Sequence, residues 1–204
     1  MTNAFLVTTY YPDYLRISLA SINRYIEEHA DKRFIVVINN DNEKLKVTRK
    51  FAREVSRLNC DIFIRNTDKN KGHLGARLDA LDFLREIAPE DINYFMFVDD
   101  DDCVLNPSFD GKVPTLSHRA VVTHRLLEVL KFINDPTVDL DNQYIEYEEW
   151  KMGCVGIPYQ FKVYYCFIET LKGFLPQLYQ LYGSERVGEP DDVILMNLWN
   201  VYLQ

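Results

Sequence analysis

Two groups of aspartates carry the side chains in this sequence that could do chemistry. Asp99–Asp102 follow directly on the apolar run YFMFV, and Asp191–Asp192 lie near the end of the chain. Carboxylate oxygens are the ligands that hard divalent cations prefer. A carboxylate beside another carboxylate has a raised pKa, which suits a general base. The first group is therefore a candidate metal site, and the second a candidate proton acceptor.

Four consecutive like charges need an explanation of their own. Two neighbouring carboxylates roughly 5 Å apart repel by about 3 kcal/mol at an effective dielectric near 20. Such a run is stable if it is fully solvated or if a positive charge offsets it. A solvated acidic turn is thus the alternative to a cation site, and the apolar run before Asp99 favours the cation.

Composition limits the class of protein. The 204 residues are 47% apolar and 26% charged, which fits one globular domain with a real core. The net charge of −8 argues against a nucleic-acid binder. The four cysteines show no CxxC spacing, so we predict neither a zinc site nor disulfides, and a reducing, cytoplasmic location.

Targeting and membrane signals are not evident. The N-terminal sequence MTNAFLVTTYYP does not resemble a signal peptide, and no apolar window reaches the ~18 residues of a membrane span. Peripheral membrane contact stays open. The chain ends on the apolar sequence NLWNVYLQ, which fits a domain of a longer polypeptide.

Strand-length apolar runs alternate with helical periods over the first hundred residues. The runs are AFLVTTY, RFIVVINN, CDIFIRN and NYFMFVDD. One predicted helix has the stripe Leu15, Leu19, Ile22 and Ile26, a second has Val47, Phe51, Val55 and Leu58, and a third covers Ala76–Ile87. This alternation predicts an α/β fold with a mainly parallel sheet flanked by helices.

The carboxyl ends of parallel strands share one edge, where open α/β sheets bind ligands. Polar residues follow each predicted strand and so are expected at this edge: Thr8, Thr9, Tyr10, Asn39, Asn40, Asp41, Thr67, Asp68, Asn70 and the aspartate run. Such convergence is typical of a nucleotide site.

Five segments, taken in order from residue 5 to 195, resemble the inverting family 2 glycosyltransferases of the GT-A fold. FLVTTYYPDYLRISLASI resembles the first strand and helix, and RFIVVINNDNEK the second strand and its base-binding loop. NKGHLGARLDAL fits the pattern N-x-G-x-x-x-A-R, FMFVDDDD resembles the strand that leads to a DxD metal motif, and EPDDVIL resembles an E-D-x-x-L helix start. The sequence also departs from the pattern of this family. The motif D-D-G-S that usually follows the second strand is N-N-D-N here, and Leu78 stands where the family often has Asn. Residues 106–150 contain no motif that aligns with the family.

The resemblance implies a single Rossmann-like GT-A domain over 1–204. Residues 1–105 would form the nucleotide-sugar-binding half, and 106–204 the acceptor-binding half. It further implies a nucleotide-sugar donor, UDP-linked by default, with Mn²⁺ or Mg²⁺. The acceptor would be a hydroxyl of a glycan or glycoconjugate.

Residue roles are implied by the same resemblance. Asp99 and Asp101 would be the ends of the DxD, with Asp101 the main metal ligand; a register of Asp100 and Asp102 stays open. Asp192 would be the base and Asp191 its neighbour, although helix N-capping is an alternative. The donor-binding set comprises Thr9, Tyr10, Asp41, Asn70, Arg77, Asp99 and Asp100.

Within that set, Asp41 would accept the ring N–H of a uracil and Tyr10 would stack on the base. Ordinary strand-end packing is the alternative for Thr9 and Tyr10, and a surface ion pair is the alternative for Arg77. Candidates on the acceptor side are Trp150, Gly153, Cys154, Val155 and Gly156, for which a core tryptophan beside bends is the favoured interpretation. A third metal ligand from His118 or His124 is not favoured.

Three other functions remain to be weighed. A sugar-phosphate nucleotidyltransferase would carry a glycine-rich phosphate loop, and VTTYYPDY contains no glycine. A phosphatase with a D-x-D nucleophile would need a nearby threonine, which DDDDCVL does not offer. The presence of both aspartate groups argues against a catalytically inactive GT-A-like binding domain.

Overall fold

A computed structural model describes residues 1–88, 90–104, 109, 121–122 and 158–173. The strands in these ranges are β1 (Thr2–Thr9), β2 (Arg33–Asn40), β3 (Asp61–Asn66), β4 (Ile92–Asp99), β5 (Asp102–Cys103), β6 (Val121–Val122) and β7 (Tyr159–Gln160). The helices are α1 (Leu15–Glu28), α2 (Arg49–Ser56), α3 (Gly72–Ile87) and α4 (Phe161–Lys172), with a 3-10 turn at Pro12–Tyr14.

The central sheet has the strand order β3-β2-β1-β4-β7. The first four of these strands are parallel, and β7 pairs antiparallel with β4. At the carboxyl edge, Thr8 lies opposite both Asn39 and Asp99, and Asn40 lies opposite Asn66. The mainly parallel sheet confirms the predicted fold class, and its register brings the polar ends of four strands together.

Both faces of the sheet are covered, so its central strands are apolar throughout rather than alternating. On β1, Ala4 and Leu6 face the cluster built by α3 and α4, whereas Phe5 and Val7 face the cluster that contains α1. Burying each large apolar side chain contributes about 1.5–3 kcal/mol. The sheet therefore gives the residues at its carboxyl edge a rigid support.

The helix predictions differ in how well they hold. The α1 stripe is confirmed, because Leu15, Leu19, Ile22 and Ile26 are all buried. The second helix is shorter than its stripe: it starts after Thr48, whose hydroxyl accepts the Phe51 N–H at 3.1 Å, and ends at Arg57, which adopts a left-handed conformation with φ 54°. Capping decides these ends, while Val47 and Leu58 stay buried outside the helix.

The third helix begins at Gly72, four residues before the predicted Ala76. Gly72 has φ +70°, a conformation that favours glycine over residues with a side chain. Its preceding residue, Lys71, provides no side-chain cap. The Lys71 and Gly72 amides instead donate to Asp41, about thirty residues earlier, and the Gly72 amide also donates to Asn70.

Among the described residues, Cys60, Cys103 and Cys166 are free thiols. None of the helices in the described part of the chain is long and apolar enough to cross a bilayer.

We expect brief treatment with iodoacetamide at pH 8 to modify Cys166 well before Cys60 and Cys103. Cys166 is exposed, whereas Cys103 is fully buried. Burial, with the Asp61 charge, raises the pKa of Cys60 to about 11. Relative to an ordinary thiol near pKa 8.5, Cys60 then holds roughly 200-fold less of the reactive thiolate at pH 8. Peptide mass spectrometry measures the order, and the urea-unfolded protein is the control in which all three should react. Rapid labelling of Cys103 in the folded protein would contradict the packing of β5.

Candidate active site

The hydroxyls at the end of β1 hold the first two aspartates of the run. Thr8 Oγ1 donates to Asp99 Oδ1 at 2.9 Å, and Thr9 Oγ1 donates to Asp100 Oδ2 at 2.5 Å. Both threonines are buried. The predicted meeting of these strand ends therefore takes place, and the hydroxyls fix the direction of both carboxylates.

Asp99 forms an ion pair with Arg77 of α3. Arg77 Nη2 lies 3.2 Å from Asp99 Oδ1 and 2.9 Å from Oδ2, and its guanidinium carbon lies 5.7 Å from the centre of the Phe97 ring. The side chains are only 5% and 17% exposed, so this is not the surface ion pair considered as the alternative for Arg77. Burial by itself would raise the pKa of Asp99, but the charge of Arg77, aided by His73 and Thr8, holds it below its ordinary value.

Asp100 lies half-buried beside the start of the loop after β1. Besides Thr9, the backbone N–H of Tyr11 donates to its Oδ2 at 3.3 Å. Burial raises the pKa of Asp100 to about 6, although the two hydrogen bonds favour the charged form and lower it. The neighbouring charges of Asp101 and Asp99 raise this pKa further. The Asp100 carboxyl group therefore titrates slightly below neutral pH.

Asp102 turns into the protein. It has no exposed surface, and its Oδ2 accepts the Asp99 N–H at 3.0 Å. Burial, followed by the charge of Asp99, raises the pKa of Asp102 well above its ordinary value. The hydrogen bond from the Asp99 N–H to Asp102 holds the turn between β4 and β5 closed.

A contact from α1 fixes the end of the turn. The Val104 N–H donates to Ser21 Oγ at 2.9 Å, and Ser21 is itself buried. Ser21 is not among the residues predicted from the sequence. Its signal in the sequence is a small hydroxyl residue on the buried face of α1, next to the stripe residue Ile22.

Groups within the protein act on the charges of the aspartate run. Arg77 neutralises Asp99, and burial favours the uncharged form of Asp102. Asp100 and Asp101 lie half-buried in the turn. The run is therefore not a solvated acidic turn.

A divalent cation still fits this part of the edge. In the ranges that the structure covers, no three His, Cys, Asp or Glu side chains group as a complete metal site. Mg²⁺ bound together with a diphosphate needs only one or two protein carboxylates, since phosphate oxygens and waters complete its shell. Asp99 is engaged by Arg77 and Asp102 is enclosed, and the metal-ligand role of Asp101 stays a prediction.

Asp41 lies at the end of β2 and is only 4% exposed. Its Oδ2 accepts the N–H groups of Lys71 at 2.8 Å and Gly72 at 3.0 Å, and its Oδ1 accepts from Thr67 Oγ1 at 3.4 Å. Burial raises the pKa of Asp41 in spite of these bonds. The predicted contact with a uracil ring stays a prediction, and the observed contacts brace the start of α3.

The asparagines of this edge serve the fold. Asn39 Nδ2 donates to the Ala76 carbonyl at 2.9 Å, and Asn40 Nδ2 donates to Asn66 Oδ1 at 2.9 Å. Asn42 Nδ2 donates to the Tyr10 carbonyl at 2.8 Å. These buried amides hold the loops after β1, β2 and β3 in one arrangement.

Two residues of the predicted donor site are open to solvent. The ring of Tyr10 is partly exposed and packs edge-on against Tyr11, with ring centroids 5.0 Å apart. Asn70 is exposed, and its Oδ1 accepts the Gly72 N–H at 2.8 Å. Both positions border the aspartate edge and could be reached by a ligand.

The remaining predicted residues lie outside the described ranges. They are Asp191, Asp192, Trp150, Gly153, Cys154, Val155, Gly156, His118 and His124.

Comparison with known proteins places the chain in a family. Residues 5–136, well over half of the chain, match the sequence profile of Glycosyl transferase family 2. No curated protein sequence matches significantly. Similar solved structures include S. aureus TarS 1–349, which is 22% identical with a TM-score of 0.35; the match covers 50% of this chain and 28% of that one. The complex of TarS 1–349 with UDP is 15% identical with a TM-score of 0.36, and there the match covers 78% of this chain and 57% of that one. The chain therefore spans less than two thirds of either structure. By its sequence match, the chain belongs to glycosyl transferase family 2.

Proposed function

We propose that this chain is the catalytic domain of a metal-dependent, inverting glycosyltransferase. It would move a sugar from a nucleotide-sugar, UDP-linked, to a hydroxyl of a glycan or glycoconjugate. The observation that carries the proposal is the aspartate run at the carboxyl edge of the sheet, held in place by Thr8, Thr9 and Arg77, in a chain of this family.

The donor would lie along this edge. Tyr10 and Asn70 are exposed beside it and would contact the nucleoside, while Asp99, whose direction is set by Arg77 and Thr8, would accept hydrogen bonds from the ribose. Asp101 and Asp100 would hold a Mg²⁺ or Mn²⁺. Such an ion offsets the charge that develops on the departing diphosphate.

The acceptor hydroxyl would attack the anomeric carbon from the side opposite the diphosphate. A new carbon–oxygen bond forms as the bond to the diphosphate oxygen breaks, so the configuration inverts. The hydroxyl proton must pass to a general base. By the family resemblance that base is Asp192, with Asp191 beside it to raise its pKa.

We expect UDP with Mn²⁺ to raise the melting temperature, and a UDP-sugar panel to reveal one donor from which UDP is released. A ligand at 100 times its Kd stabilises the folded state by about 2.7 kcal/mol. Differential scanning fluorimetry with UDP, CDP, GDP and ADP, each with and without Mn²⁺, measures the first effect. A coupled UDP assay measures the second.

Two variants sharpen this test. Asp192→Asn should keep UDP binding and lose UDP release, because only the proton acceptor is removed. Asp61→Asn, an exposed carboxylate at the opposite end of the sheet, is the matched control and should behave as wild type. Binding of UDP without turnover of any sugar nucleotide would favour a binding domain, and binding of no nucleotide would contradict the proposal.

A further inference from the structure

Asp41 caps α3 from a distant part of the chain. The N-cap residue Lys71 offers no side-chain acceptor, and the Lys71 and Gly72 amides donate to the Asp41 carboxylate instead, with Asn70 Oδ1 as a second acceptor for Gly72. The backbone N–H of Asp41 donates in turn to the Thr9 carbonyl at 2.8 Å. A negative charge at a helix N-terminus is favourable, since it meets amides that have no acceptor within the helix and the positive end of the helix dipole.

A second contact from β2 reaches the next turn of α3. Asn39 is fully buried, and its side-chain amide donates to the Ala76 carbonyl. Asn39 and Asp41 therefore hold α3 at two points, one at its first amides and one directly before Arg77. Together they fix both the position of the helix along its axis and its rotation.

The rotation of α3 decides whether Arg77 meets Asp99. Arg77 lies five residues after Gly72, about 7.5 Å along the axis at 1.5 Å per residue. Its paired contacts of 2.9 and 3.2 Å to Asp99 are charge-assisted and depend on angle, so a small shift of the helix weakens them. The capping of α3 and the direction of the Asp99 carboxylate are thus mechanically connected.

We propose that Asp41 is a positioning residue that acts through α3 and Arg77 on Asp99, and thereby on the affinity for the donor nucleotide. The effect on affinity rests on the proposed function, whereas the connection to Arg77 does not. A direct contact between Asp41 and the base is the competing role. The almost complete burial of Asp41 and its backbone contacts favour positioning.

A double-mutant cycle separates the two roles. The Kd of UDP with Mn²⁺ is measured by calorimetry for wild type, Asp41→Ala, Arg77→Lys and the double variant. If Asp41 acts through Arg77, Asp41→Ala raises the Kd of UDP roughly 10-fold in the wild-type background. In the Arg77→Lys background it raises this Kd less than about 3-fold. Equal losses in both backgrounds would overturn the proposal, as would unchanged affinity of the single variant.

Base selectivity provides a second measurement. Cytosine lacks the ring N–H that a uracil would donate to Asp41. If Asp41 is a positioning residue, Asp41→Ala should weaken the binding of UDP and of CDP by the same factor. If Asp41 contacts the base directly, the variant should lose the preference for UDP over CDP. Loss of that preference would overturn the proposal.

Controls address folding. Asp41→Asn keeps one acceptor oxygen for the amides of α3 and should restore most of the UDP affinity. Thr48→Ala removes the cap of α2, and should lower stability without changing UDP affinity. Weakened binding by Thr48→Ala would indicate that any lost cap has this effect and would overturn the specific role of Asp41.

The cycle also has a readout that needs no donor. In ligand-free protein, the shifts in urea midpoint caused by Asp41→Ala and Arg77→Lys should be non-additive, because both disturb the same contact. Additive shifts would overturn the connection to Arg77. A wild-type protein that binds no nucleotide but shows non-additive shifts would contradict the proposed function and leave this connection supported.

Discussion

Replacing Arg77 by methionine is expected to lower the free energy of unfolding by about 3 kcal/mol, since a buried carboxylate then loses its counter-ion. The value lies at the lower end of the range for such losses, because the Asp99 side chain keeps 17% of its exposure. Methionine preserves the length and the apolar stem of the side chain over Phe97. Urea denaturation at pH 7, followed by circular dichroism, measures the change.

The double variant Arg77→Met/Asp99→Asn is the matched control. The uncharged amide of asparagine needs no counter-ion, and its oxygen can still accept the hydrogen bond that the Thr8 hydroxyl donates to Asp99. We expect this variant to recover at least about 1 kcal/mol relative to Arg77→Met. If the free energy of unfolding of Arg77→Met stays within about 0.5 kcal/mol of the wild-type value, the Arg77–Asp99 ion pair behaves as a solvated pair. Its assignment as a buried pair would then be wrong.

Asp101→Asn is expected to lower kcat by roughly 10²–10³-fold, because the cation that it would hold supplies several kcal/mol of charge stabilisation in the transition state. The fold should tolerate the change, since it removes a like charge beside Asp100 rather than a counter-ion. Turnover of the donor identified in the UDP-sugar panel, measured over a Mn²⁺ titration, provides the test.

Metal removal is the companion measurement. EDTA should inactivate the wild type, excess Mn²⁺ should restore it, and Asp101→Asn should respond weakly to both. Asp61→Asn, which alters the exposed carboxylate at the opposite end of the sheet, is expected to keep the wild-type response. If Asp101→Asn retains the wild-type Mn²⁺ dependence, the cation is held elsewhere and the assignment of Asp101 fails.

The fold was predictable because its signals are local. The apolar runs of β1, β2 and β4 are buried on both faces, and the α1 stripe of leucine and isoleucine faces the sheet as predicted. The start of α3 depends on Asn70, a local cap residue, and also on Asp41, some thirty residues away, which accepts the same Gly72 N–H. Helix ends depend on whichever acceptor reaches the free amides, and the fold supplies that acceptor.

The sequence by itself determined which residues meet: strand ends in a parallel sheet share an edge, so Thr8, Thr9 and the aspartates had to lie together. Only the tertiary structure decided what each aspartate is. Asp99 keeps its charge because α3 brings Arg77 against it, whereas the pKa of Asp102 is raised because the turn buries it. A carboxyl group's pKa depends on desolvation and on charges within a few ångströms. Desolvation and nearby charges both depend on segments that are distant in the sequence. Aspartates that are identical in the sequence therefore differ in their chemistry.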